Sequence, residues 1–100
     1  MGKRPLERDF QLWLKKQLKA MFPGCIILKN DPGFRTGIPD LIVLWEGHWA
    51  LLEVKRGANE KPRPLQPYYV TRAQEMSFGA FIYPENAEEV LNALQRSFSS

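Results

Sequence analysis

Three residues stand where a hydrophobic core alone gives no reason for them: Asp40, Glu53 and Lys55. Asp40 follows Gly37-Ile38-Pro39 and opens the apolar run Leu41 to Trp45, while Glu53 lies inside Leu51-Leu52-Glu53-Val54-Lys55. Polar residues ordinarily stay outside, so acids within apolar runs need a partner or a task. Side chains alternate along a strand, which puts Glu53 and Lys55 on one face, roughly 7 Å apart, and Leu52 and Val54 on the other. The two apolar runs, separated by Glu46-Gly47-His48, read as a β-hairpin whose open end brings Asp40 beside Glu53. Adjacent carboxylates repel unless a proton or a cation neutralises them. These two, the Val54 carbonyl and water are oxygen donors of the kind a hard divalent cation takes. A lysine beside them can orient or help deprotonate an attacking water and offset phosphate charge, so the set suits phosphodiester hydrolysis. The same residues admit a plainer arrangement, with Glu53 and Lys55 paired on an exposed edge strand and Asp40 a turn residue.

The elements that must hold these residues follow from periodicity. Leu6, Phe10, Trp13, Leu14, Leu18 and Met21 recur at spacings of three and four, an amphipathic helix stopped by Phe22-Pro23-Gly24. Cys25 to Leu28 reads as a short strand, Asp31-Pro32-Gly33 as a turn and Phe34 to Pro39 as a loop. The unbroken runs at 41–45 and 49–54 imply helices over both faces of the sheet. Gly57 to Pro64 is a loop, and Pro64 suits the first position of a helix reaching Met76. Residues 79–83 form a strand. Asn86, with Glu89 three residues on, caps a last helix whose stripe is Ala87, Val90, Leu91, Leu94 and Phe98. The order is helix, three strands, helix, strand, helix: an α/β layered sheet of mixed direction.

A chain of 100 residues is one domain, spanning 1–100. With 44% hydrophobic and 25% charged residues it is neither disordered nor fibrous. It lacks an apolar run of about 18 residues, and its basic start leads into an amphipathic stretch rather than a signal peptide. The expectation is a soluble, cytoplasmic protein without a membrane partner. A single cysteine, Cys25, forms no internal disulfide or zinc cluster and reads as core. The net charge of +3 is unevenly spread. Residues 1–30 carry seven basic side chains against Glu7 and Asp9, whereas 73–100 carry Arg96 against four glutamates. The basic end is built to meet a polyanion, or is merely a solvated lysine face.

Gly37-Ile38-Pro39-Asp40, Glu53-Val54-Lys55 and Pro64-Leu65-Gln66, with their flanking elements, resemble the PD-(D/E)XK nuclease superfamily and specifically its virus-type replication-repair nuclease branch, the VRR-NUC domain. The resemblance spans nearly the whole chain. It implies a restriction-endonuclease-like core of αβββαβ order with an extra C-terminal helix. It implies Asp40 and Glu53, with Val54, as ligands of Mg²⁺ or Mn²⁺, and Lys55 as the lysine beside the attacking water. Gln66 corresponds to the branch's supporting glutamine, with Gln74 as the alternative because the stretch from Gln66 to Gly79 is long. Glu7 fits the glutamate usual in the first helix, and equally a helix-start carboxylate favoured by the dipole.

Lys29, Asn30 and Arg35 lie in or beside the loop before Asp40 and could bind phosphates flanking a cut, with Gly33 and Gly37 allowing close approach. Arg35 could equally be a solubilising loop residue. Leu12, Lys15, Lys16 and Lys19 share the outer face of the first helix, a stripe able to track a backbone. Tyr68 and Tyr69 are core or dimer contacts, or stack on bases. His48 sits at the hairpin tip as a surface residue. The resemblance implies a structure-specific DNA endonuclease acting as a homodimer on branched DNA such as four-way junctions or flaps, in a phage or its bacterial host. The alternatives are a catalytically silent nucleic-acid-binding module and a structural partner in a phage or repair complex.

Overall fold

A computed structural model describes residues 7–31, 37–62 and 64–100. The elements are α1 (Glu7–Met21), β1 (Ile26–Lys29), β2 (Leu41–Trp45), β3 (His48–Val54), α2 (Gln66–Met76), β4 (Gly79–Ile82) and α3 (Ala87–Phe98). The strands form one mixed sheet in the order β1-β2-β3-β4, antiparallel except for the parallel pair β3–β4, which α2 connects. This is the expected α/β order.

The β2–β3 hairpin closes through Glu46-Gly47, both at positive φ, the two-residue turn whose twist matches paired strands. The turn is one residue tighter than expected, so His48 joins the strand opposite Trp45. It is half-buried, its ring 5.3 Å from that of Phe98, rather than a bare surface residue. Leu41 pairs with Leu52, and one further step of that register sets Asp40 opposite Glu53.

The core lies between one sheet face and the helices α1 and α3. Leu41, Val43, Ala50, Leu52, Val54 and Ile82 meet Phe10, Leu14, Leu18, Phe22, Leu91, Leu94 and Phe98. Trp13, expected inside, is largely exposed and stacks on Phe10 with ring centroids 5.6 Å apart.

Helices do not cover both faces throughout. On the second face α2 covers β3 and β4, burying Val70 and Ala73, but Ile26, Leu28 and Leu44 of β1 and β2 are exposed. Strand β1 starts at Ile26, and Cys25 before it is only half-buried. The last helix is not capped as expected. Asn86 makes no side-chain cap bond; its Oδ1 accepts from the Tyr83 N–H at 2.8 Å and its Nδ2 donates to the Phe81 carbonyl at 3.0 Å. The side chain therefore ties the turn to the end of β4. Pro64 lies before α2, whose N-cap is Leu65, and Pro67 is the proline of the first turn. Leu6, Gly33 and the turn and loop residues 32–36 lie outside the described residues.

Candidate active site

The extended hairpin register holds Asp40 and Glu53 together at the end of β2 and β3. The Asp40 N–H donates to Glu53 Oε1 at 3.1 Å, and the Val54 N–H donates to Asp40 Oδ2 at 3.3 Å. Each acid is thus fixed by the backbone of the other's strand. A residue's carbonyl leaves a strand on the same side as its N–H. The Val54 carbonyl therefore shares the edge that faces Asp40.

Glu53, Lys55 and Gln66 are 4%, 4% and 5% exposed, so none of their charges or amides belongs to a solvated surface pair. Gln66 Nε2 donates to Glu53 Oε2 at 2.8 Å, and Lys55 Nζ donates to Gln66 Oε1 at 2.8 Å. Lys55 Nζ also lies 3.8 Å from Glu53 Oε2 and over the Phe81 ring at 5.9 Å. The neutral amide lies between acid and base and satisfies both. Burial pushes the Glu53 carboxyl up to about 7; the Asp40 charge adds to this, and Lys55 pulls back.

Gln66 reaches this position because the chain entering α2 is forced. Leu65 has left-handed backbone at φ 74°, and Gly37, at φ +90°, packs directly against it. A Cβ on Gly37 would stand 2.7 Å from Leu65 Cβ. The close approach that Gly37 permits is therefore to the start of α2. Gln74, the alternative glutamine, accepts from the Gly79 N–H at 3.1 Å at the far end of α2, away from the carboxylates.

Glu7, at the start of α1, is near enough for its charge to act on Glu53. Gln11, one helical turn later, donates through Nε2 to Glu7 Oε2 at 3.3 Å and accepts from Lys29 Nζ at 3.2 Å. The sequence reading passed over Gln11. Its signal is its place on the line Glu7, Gln11, Leu14, Leu18, which turns it inward. The Asn30 N–H donates to the Asp40 carbonyl at 2.7 Å, which anchors the end of β1 to the site. Lys16 and Lys19 are exposed on α1 and Lys15 is half-buried. Arg35 lies outside the described residues. Tyr68 is exposed and so no core residue; its ring packs edge-on against Tyr69 at 5.1 Å.

Among the described residues, no group of three or more His, Cys, Asp or Glu side chains is placed to hold a metal ion. A cation held here would rest on two carboxylates, a carbonyl and water. Magnesium accepts such a set, since it commonly keeps several waters and takes one or two carboxylates. Burial first and the Asp40 charge second raise the Glu53 carboxyl, so a cation between these two acids would be favoured and an anion would not. Among the described residues, no helix is long and apolar enough to cross a membrane.

Neither family models nor curated proteins give a match to the chain. Among solved structures, it is similar to one described as a VRR_NUC domain, at TM-score 0.69 and 26% sequence identity, over 86% of this chain and 94% of that one.

Proposed function

We propose that this chain, whose fold is that of a VRR-NUC domain, is a Mg²⁺- or Mn²⁺-dependent endonuclease that hydrolyses phosphodiester bonds in DNA. The fold supports the nuclease type, and the chemistry of the site supports metal dependence and DNA as substrate. The observation that carries the reading is the buried circuit Glu53–Gln66–Lys55, joined at the sheet end by the half-buried Asp40, whose N–H donates to Glu53. A structural ion pair needs no second carboxylate pressed against the first.

In this reading Asp40 and Glu53, with the Val54 carbonyl, hold the cation, and Glu7 faces the same centre from α1. When bound, the cation polarises a phosphoryl oxygen and makes a coordinated water more acidic. Lys55 orients the attacking water and offsets the charge gathering on the phosphate. Gln66 keeps Lys55 from collapsing onto Glu53 by accepting from one and donating to the other. Lys15, Lys16, Lys19, Lys29, Asn30 and Arg35 bind backbone phosphates. Branched DNA, four-way junctions or flaps, cut by a homodimer inside a phage-infected bacterial cell, completes the proposal.

The test incubates labelled linear, flap and four-way substrates with Mg²⁺, Mn²⁺ or EDTA. Cleavage is expected with either metal and not with EDTA. Asp40→Ala and Glu53→Ala should each abolish cleavage, a loss of at least about a hundredfold, with DNA binding retained or strengthened. Wild-type cleavage by either variant removes that acid from the site. Binding without cleavage in any metal makes the chain a silent binding module instead.

A further inference from the structure

We infer that Gln11 is a positioning residue for DNA, one that holds the Lys29 ammonium in a groove taking a backbone phosphate on its way to the carboxylate pair. The inference rests on the DNA-cleaving reading and adds a residue that charge patterning does not mark. The groove, about 310 Å³, is lined by Glu7, Arg8, Gln11, Leu12, Lys15 and Lys29, from α1 and the end of β1. Three of these six are cationic, matching the chemistry of a phosphodiester.

Gln11 is 9% exposed, and its amide is used at both ends, on Glu7 and on Lys29. A neutral amide is what the position requires. A carboxylate would neutralise Lys29 and repel Glu7, while an apolar side chain would release the lysine and leave its long stem free to reorient. An amide oxygen occupies one of an ammonium's three donors and leaves its charge intact. The next residue, Asn30, is fastened to the Asp40 carbonyl, so a phosphate on Lys29 would be held in register with the acids.

The experiment measures DNA binding of the full chain by fluorescence anisotropy across a salt series in EDTA, which separates it from cleavage. Gln11→Met and Lys29→Met are each expected to weaken binding of a four-way substrate roughly three- to tenfold and to lower the salt slope by about one. The double variant should be no weaker than either single one, because both remove the same held cation. In Mg²⁺, KM should rise by more than kcat falls. Wild-type salt dependence for Gln11→Met, or additive losses in the double variant, overturns the inference. Should Gln11→Met fail to fold by circular dichroism, Gln11→Glu replaces it. A carboxylate there neutralises Lys29 and must also lower the slope by about one, and an unchanged slope is again fatal. Loss of cleavage for the wild type with these binding effects intact would defeat the nuclease reading and leave the groove standing.

Discussion

Glu53 carries the electrostatic cost of the site, and that cost is measurable without any substrate. Its folded carboxyl is raised to about 7 from an ordinary 4.5, so the folded chain holds a proton there more tightly than the unfolded chain does. The resulting stability is fully present below pH 4.5 and is lost as pH rises through 7. Its size is about 3 kcal/mol. Urea unfolding in EDTA at pH 4.5 and pH 8 should show that loss for the wild type and not for Glu53→Gln; parallel pH dependence in both would assign the cost elsewhere. Added Mg²⁺ should return stability to the wild type at pH 8. Asp40, Glu53 and Lys55 stood out in the sequence because acids inside apolar strand runs need a partner or a task, and their burial rules out the plainer surface pair for Glu53 and Lys55. Gln66 was reachable only through resemblance, since an amide beside a proline-rich loop has no periodic signature. Gln11 escaped because a polar residue in an amphipathic helix reads as solvated unless its face is tracked residue by residue.

Among the elements, the hairpin and the three helices were readable from spacing, while their boundaries were set by turn chemistry that spacing does not contain. Glu46 accepts a left-handed backbone and shortens the turn, and Asn86 spends its amide on β4 rather than on α3. Leu65 is the costlier departure, because a left-handed leucine is disfavoured by about 1–2 kcal/mol. That conformation directs α2 so that Gln66 meets both Glu53 and Lys55. Gly37 makes room for it, and Gly37→Ala would combine an unfavourable φ with a Cβ 2.7 Å from Leu65 Cβ. We expect this variant to lose about 2 kcal/mol or more in urea unfolding and to lower kcat by displacing Gln66. Stability equal to the wild type would show that the loop moves freely away from α2. Full coverage of the sheet was expected from unbroken apolar runs, yet such runs also serve a face left open, as on Leu28 and Leu44.

At the scale of the molecule, charge is partitioned between its ends, with lysines on α1 and glutamates at 75, 85, 88 and 89. Lys16 and Lys19 are exposed on the helix that begins at Glu7, beside the groove. Reversing Lys15 and Lys16 to Glu together should weaken DNA binding roughly tenfold or more at about 0.1 M salt and flatten its salt dependence. Unaltered anisotropy curves would clear α1 of that role. The mixed sheet also carries a temporal consequence. β2 and β3 are neighbours in sequence and can pair on their own, a local event of microseconds. Glu53 and Lys55 gain their amide partner only after α2 docks, and the Lys55 backbone closes on Ile82, a link that waits for β4. A chain still emerging from a ribosome therefore displays its paired acids before their partners exist, and the site proposed for cleavage is complete only once the chain has been translated through Ile82.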